Sequence, residues 1–244
     1  ACREACGGQG FMAENRFAEL KADSDVFTTF EGDNTVLMQL VAKGVLTEFR
    51  QQFSEMKFLG LLRFVGQEMA TAFIEMNPIA TRLHEQAHLR DPSFHLEALE
   101  YRERHLLTEV AKRLRKKIRA GVDSFDAFIA CQSHLLELAN AHIERVVLEQ
   151  FTAGVMRCRD SRLSGLLTSV RDLYALSVIE ADRGWFLEEH YMEAVKVKAI
   201  RKQVNRLCAE LRPHATVLVE AFGVPDASLG PLVARSGSGT DQVR

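Results

Sequence analysis

From Asn34 onward apolar residues recur at three- and four-residue steps, and alternation with a period of two is nearly absent. Side chains three or four positions apart share one face of a helix, so this spacing buries a continuous stripe only if the backbone is helical. Leu37, Leu40, Val41 and Val45 form one stripe, and Phe58, Leu61, Leu62 and Val65 form another. Asn77-Pro78 and Asp91-Pro92 each place a capping side chain before a proline at the first helical position, which predicts helix starts near residues 78 and 92. The segment from Ser124 to Val155 carries Phe128, Cys131, Leu135, Leu138, His142, Val146 and Phe151 in one pattern and predicts a single long helix. From about Tyr191 to Leu211, Ala194, Val197, Ile200, Val204 and Leu207 face one way while Lys196, Lys198, Arg201 and Lys202 fall mostly elsewhere, predicting another amphipathic helix. The expected fold class is all-α, a helical bundle. Gly223 and Pro225 stop the pattern, and residues 224–244, which include Ser236-Gly237-Ser238-Gly239-Thr240, hold too little apolar content to order themselves.

A chain of 244 residues, 47% of them hydrophobic, can bury a sizeable core as one large domain or two helical lobes. The formal net charge of -2 gives no overall field that would attract nucleic acid or an anionic membrane, so no nucleic-acid partner is expected. Cys2, Cys6, Cys131, Cys158 and Cys208 are odd in number and contain no C-x-x-C pair, which fits reduced thiols in an intracellular protein. No run approaches the roughly 18 apolar residues of a membrane span, and the N-terminus lacks the pattern of a secretory signal. The chain opens at Ala1 directly into Cys2-Arg3-Glu4-Ala5-Cys6-Gly7-Gly8, which suggests a piece of something longer.

Chemistry is expected in the N-terminal fifth, where glycines cluster at Gly7-Gly8-Gln9-Gly10 and Glu31 stands in Thr28-Thr29-Phe30-Glu31-Gly32-Asp33-Asn34. Glu31 follows an aromatic residue, precedes a glycine and lies within a turn of a helix predicted to begin near Asp33 or Asn34. Unpaired N–H groups at a helix N-terminus stabilise negative charge, so a carboxylate there can stay ionised while partly buried, as a general base requires. On the residues alone, a plain capping role for Glu31 or Asp33 is the simpler reading. The glycines would let backbone approach a phosphate or ring closely, but no strand precedes them, so the dinucleotide fingerprint is absent and a plain turn is the alternative.

The run from Cys2 to Leu46, CREACGGQGFMAENRFAELKADSDVFTTFEGDNTVLMQLVAKGVL, closely resembles the segment of acyl-CoA oxidases that joins the flavin-binding glycine motif to the catalytic glutamate. The resemblance implies a division into residues 1–75, the end of an acyl-CoA dehydrogenase-like helical domain, residues 76–223, the further C-terminal helical domain of the oxidases, and a tail over 224–244. It implies Glu31 as the catalytic base. Glu4, Gly7, Gly8, Gln9 and Gly10 match the stretch that lies against FAD, commonly the FAD held mainly by the partner subunit of a homodimer. Gly32, Asp33 and Asn34 follow the base where further flavin contacts occur. The implied reaction is α,β-dehydrogenation of a fatty acyl-CoA to a trans-2-enoyl-CoA in fatty acid β-oxidation, with oxygen as acceptor and hydrogen peroxide as product. An acyl-CoA dehydrogenase passing electrons to an electron-transfer flavoprotein is the nearest rival, and a helical interaction module without chemistry is a second. No β-rich flavin domain is present, so the chain by itself is expected to bind FAD weakly and to be inactive.

Three further features compete for attention. His84-Glu85-Gln86-Ala87-His88 satisfies the H-E-x-x-H pattern of zinc proteases, yet nothing singles out a third ligand, and a polar helix face is preferred; no metal is expected. The run Lys112-Arg113-Leu114-Arg115-Lys116-Lys117-Ile118-Arg119 reads as a solvated helix face, with a role in holding CoA phosphates as the functional alternative. Trp185, Phe186 and Tyr191 read as anchors of the core or of a dimer interface. The final residues Asp241-Gln242-Val243-Arg244 differ from the Ser-Lys-Leu peroxisomal signal, so a cytoplasmic location is expected.

Overall fold

The structure, a computed structural model, describes residues 2–55 and 85–225. Among these the fold is all-α, with no strand. The second predicted stripe at Phe58, Leu61, Leu62 and Val65, the helix start at Pro78, the boundary at residue 75 and most of the 224–244 tail lie outside the described residues. The chain divides into two compact units, Ala1–Leu37 with His214–Arg244, and Met38–Pro213.

In the first unit, α1 (Cys2–Ala5) leads through short 3-10 turns at Gly7–Phe11 and Ala13–Asn15 into α2 (Phe17–Val26). Helix α3 (Asn34–Glu55) begins in this unit and continues into the next. Of its predicted stripe Val45 is buried, Leu37 and Val41 are half-buried and Leu40 is exposed. The last described helix, α11 (Ala215–Glu220), ends shortly before Gly223, where the predicted pattern stops.

Among its described residues the Met38–Pro213 unit holds, besides α3, the long helices α5 (Pro92–Arg119), α7 (Gln132–Arg157), α8 (Ser161–Ala181) and α10 (Ala194–Leu211), with short helices α4 (Gln86–Leu89), α6 (Ser124–Ile129) and α9 (Arg183–Glu188). Helix α7 packs on α5 and α8, and α8 packs on α10. Ala98, Ala139, Ala141 and Ala175 are buried, and such small side chains let neighbouring backbones approach closely. One apolar cluster gathers Phe94, Leu99, Leu148, Leu176, Phe186 and Ile200; another gathers Ala42, Val45, Leu106, Val110, Leu135 and Leu138. Trp185 stands edge-on to Phe186 at 5.1 Å and near Tyr101 and His105, which makes this aromatic group a core anchor.

Aspartates cap two of these long helices, α5 and α8. Asp91 accepts from Ser93 N–H at 2.9 Å with Pro92 behind it, as its sequence predicts, and Asp160 accepts from Arg162 and Leu163. Buried charges are paired: Asp172, fully buried, accepts from Arg90 Nε at 3.1 Å and Arg171 Nη2 at 2.7 Å, while Arg102 lies between Glu144 and Asp182. Burial pushes the Glu144 and Asp182 carboxyls up, and Arg102 opposes it.

Two sequence expectations are corrected. The predicted single helix from Ser124 to Val155 is two helices, α6 and α7, separated at Ala130–Cys131. Ala127, Cys131 and Leu135 all turn to the core, so the apolar period runs unbroken through a break that contains neither glycine nor proline. The helix predicted from Tyr191 begins at Ala194, and its buried face is Lys196, Val197, Ile200, Gln203, Leu207 and Leu211, while Ala194 is exposed.

Candidate functional site

All residues proposed for chemistry fall in the first unit. The 3-10 turn Gly7–Phe11 packs on α1 and α2 and carries Gly7, Gly8, Gln9 and Gly10. Gly10 is buried, and a Cβ there would sit 2.0 Å from the Arg3 carbonyl oxygen, so only glycine allows this backbone approach. Asn15 holds the next link: its Nδ2 donates to the Gln9 carbonyl at 2.8 Å and to Gln9 Oε1 at 3.1 Å. Asn15 is buried, and the sequence reading missed it; its only signal was an amide side chain in a turn-rich stretch. Glu4, on α1, is exposed. Gly8 differs from Gly10, because a Cβ there would meet nothing within 4 Å, so the packing of this chain does not require its small size.

Glu31 lies in the turns after α2. Phe30 N–H donates to the Val26 carbonyl and Gly32 N–H to the Thr29 carbonyl, each at 3.0 Å. Gly32 has φ of 117°, a conformation that favours glycine and turns the chain into α3. Asp33 then caps that helix: its Oδ1 accepts from Thr35 N–H at 2.8 Å and Val36 N–H at 3.3 Å. The Thr35 side chain, followed by the Thr35 and Val36 N–H groups, holds the Asp33 carboxyl below the usual carboxylate range. Asn34 is the first helical residue. Glu31 therefore does not serve as the cap, and among the described residues no hydrogen bond or ion pair engages it. The expectation of a partly buried carboxylate is corrected: Glu31 is exposed, and among the described residues of its unit no apolar side chain is buried. Phe27 and Phe30 meet edge-to-face at 5.4 Å beside it and are 70% and 60% exposed.

The other unit holds a titratable cluster that the sequence reading placed wrongly. Lys196 is buried with Nζ 4.1 Å from the centre of the Phe94 ring. Burial lowers its pKa to about 8, with Glu97 pulling the other way. The His88 ring packs on Phe94 at 4.7 Å, and burial, then the Lys196 charge, lowers its pKa. A signal existed: Lys196, Ile200, Gln203, Leu207 and Leu211 follow three- and four-residue steps that share Ile200 and Leu207 with the expected stripe. His84, the first histidine of the H-E-x-x-H pattern, lies outside the described residues, so that zinc reading gains no geometry.

The acyl-CoA oxidase family model matches residues 91–236, and the model of the acyl-CoA oxidase C-alpha1 domain matches residues 1–46. The chain is 41% identical over 225 residues to the peroxisomal acyl-coenzyme A oxidase 2 of Arabidopsis thaliana, which covers 92% of this chain and 32% of that protein. The solved structure of Arabidopsis thaliana acyl-CoA oxidase 1 matches with a TM-score of 0.79 and 26% identity, over 94% of this chain and 34% of that one. Acyl-CoA oxidase-2 of Caenorhabditis elegans, solved with FAD, ascaroside-CoA and ATP, matches with a TM-score of 0.76 over 94% of this chain and 32% of that one; at 18% identity the likeness is one of fold. The chain spans about a third of the length of these relatives.

Proposed function

The chain belongs to the acyl-CoA oxidase family, and on that premise we propose that it forms the C-terminal helical part of an FAD-dependent acyl-CoA oxidase in which Glu31 removes the α-proton of a fatty acyl thioester. The observation that carries this reading is the division of labour at the start of α3. Asp33 caps the helix, so the adjacent Glu31 carboxylate is left without a structural task and stands exposed beside two exposed aromatic rings. An unused carboxylate between apolar surfaces suits a base that is desolvated only when substrate arrives.

The residues of the glycine turn fit a flavin. Among the described residues nothing lies within 4 Å of a Cβ at Gly8, and Gly10 and Asn15 lock the turn that presents it. We propose that Glu4, Gly7, Gly8, Gln9 and Gly10 lie against FAD held mainly by a partner subunit in a homodimer, with Gly32, Asp33 and Asn34 near the same cofactor. When bound, FAD supplies the acceptor for the substrate's β-hydrogen as hydride. Glu31 takes the α-proton on a carboxylate oxygen and holds it until release to solvent. The α-proton becomes acidic enough only when the thioester carbonyl accepts hydrogen bonds, a task that falls to the rest of the enzyme. The same premise supports a boundary near residue 75 between a dehydrogenase-like part and the C-terminal oxidase domain of residues 76–223. It also supports oxygen, rather than a flavoprotein, as the electron acceptor.

No described helix is long and apolar enough to cross a membrane. The relative named as peroxisomal argues against the cytoplasmic location expected from the C-terminal residues, and fractionation of cells expressing the intact protein decides between the two compartments. The central test is Glu31→Gln in the intact enzyme. Peroxide production from acyl-CoA is expected to fall by about 10²–10⁴-fold with flavin content unchanged. Turnover at the parent rate would remove Glu31 as the base.

A further inference from the structure

In the Met38–Pro213 unit, the corner where α5 gives way to α6 carries a surface that internal packing leaves unused. Nine consecutive residues, 118–126, are exposed there. Four large apolar side chains lie open on this stretch and just beyond it: Ile118 at 49%, Val122 at 38%, Phe125 at 68% and Ile129 at 43%. Beside them stand Arg115, Lys116, Lys117 and Arg119, and among the described residues none of the four meets a carboxylate. Arg50 of α3 adds a fifth cation, sharing a groove with Arg115 and Arg119. Elsewhere in the unit Arg90, Arg102, Arg145 and Arg171 are each paired with a carboxylate.

The carbonyl end of a helix favours cations, which accounts for Lys116, Lys117 and Arg119 in the last turn of α5. That reason does not extend to Arg115 or Arg50, nor to apolar side chains held in water beside them. The corner itself is firmly built. Gly121 has φ of 85°; its N–H donates to the Ile118 carbonyl at 3.0 Å and Val122 N–H donates to the Lys117 carbonyl at 3.2 Å, which closes the end of α5. Asp123 then opens α6 by accepting from Phe125 N–H at 2.8 Å and Asp126 N–H at 3.4 Å. With these backbone groups already bonded, the corner can enter a water-poor layer without stranding them. Exposed apolar side chains ringed by four or more unpaired cations are the pattern of anionic lipid recognition: the rings and branches enter the boundary of the acyl chains while the long cationic stems keep their charge among the headgroups. A second copy would set the same cations against each other across a two-fold axis. A nucleic acid would engage the cations and leave Ile118, Val122 and Ile129 in water.

We propose that this corner docks the protein on an anionic phospholipid surface, with Val122 and Phe125 inserted at the headgroup boundary and Arg115, Lys116, Lys117 and Arg119 on the lipid phosphates. Charge acts over a Debye length of about 8 Å at physiological salt, so the local cluster rather than the formal net charge of -2 sets the attraction. The inference uses none of the residues proposed for dehydrogenation, and its test needs neither flavin nor turnover.

Co-sedimentation of the full chain with vesicles of equal parts phosphatidylcholine and phosphatidylserine tests this. Binding is expected to be about tenfold or more tighter than to phosphatidylcholine alone, and to weaken with added salt. Lys116→Glu with Arg119→Glu should weaken it by roughly tenfold or more. Lys198→Glu with Lys202→Glu, the same change of charge at exposed positions of α10, should leave it at the parent level. Val122→Ser with Phe125→Ser should weaken it by about tenfold at constant charge. In Phe125→Trp the indole emission should shift to the blue on the anionic vesicles and not on the neutral ones, as the ring leaves water. All but Phe125→Trp replace exposed side chains by polar ones, and far-ultraviolet circular dichroism verifies that each variant folds. Equal binding to both kinds of vesicle, equal losses from the two charge-reversed pairs, or an unshifted indole overturns the proposal. So does binding to duplex DNA in place of vesicles. Vesicle binding by the chain that the intact enzyme does not share overturns it as well, because the rest of the molecule then covers the corner.

Discussion

The segment Cys2–Leu37 and the unit Met38–Pro213 are made from the same helical alphabet but packed to opposite ends. Among the described residues of the first, only Gly10 and Asn15 are buried, and Phe11, Phe27 and Phe30 lie open. The second closes two apolar clusters and neutralises most of its internal charge with paired carboxylates. Every residue proposed for the dehydrogenation chemistry lies in the poorly packed region. A surface that must receive a cofactor and a substrate cannot be filled by its own side chains, so the residues meant for chemistry are those the local packing leaves uncovered. The well-packed unit carries stability instead, and its polar groups are occupied with each other.

That contrast is breakable. The largest effect is expected from Phe186→Ala, a fully buried ring, which should cost about 3–5 kcal/mol in denaturant unfolding of the chain. Phe30→Ser, at an exposed ring, should stay within about 0.5 kcal/mol. Similar losses at both positions would mean that the first region has a core of its own.

Next in size is a pH effect confined to the packed unit. Lys196 titrates at 10.5 when unfolded and at about 8 when folded. Between those values the unfolded chain holds a proton that the folded chain has released, so stability rises with pH across that window and is lost as pH falls from 10.5 to about 8. The rise should be on the order of 2 kcal/mol, read as a shift in denaturant midpoint, and Lys196→Met should flatten it. A parent midpoint that stays level from pH 8 to 10 would show that the ammonium remains solvated.

The smallest effect compares two helix caps. Asp91→Ala should lower global stability by about 1 kcal/mol, because α5 is central to the packed unit. Asp33→Ala should instead quicken amide exchange at Thr35 and Val36 and leave the global transition in place. A global loss from Asp33→Ala would tie the first turn of α3 to the main cooperative unit.

Much of this was legible from residues alone, because it depends on neighbours in the chain. Helical spacing gave the all-α class, Asp91-Pro92 gave the start of α5, and the Cys2–Leu46 motif gave the family. The turns at Gly7–Gly10 and Gly32 were legible the same way and Asp33 was one of two cap candidates, though the choice of Asp33 over Glu31 and the exposure of Glu31 were not. Periodicity registers which residues share a face, but it does not register how a helix is rotated against its neighbours. Lys196 was therefore placed on the wrong side, and the break at Ala130–Cys131 passed unseen because both flanking helices feed one core.

The sequence by itself determined the local order of the chain: where helices begin and which residue types lie together in the turns, since caps, glycines and three- to four-residue steps act over a few positions. Only the tertiary structure decided which partners those faces meet. It placed Asp172 between two arginines, laid Lys196 on Phe94, and brought Arg50 to Arg115 and Arg119 across a shared groove. Such encounters join residues tens of positions apart, and their geometry comes from the mutual packing of whole helices, which no short stretch of sequence encodes.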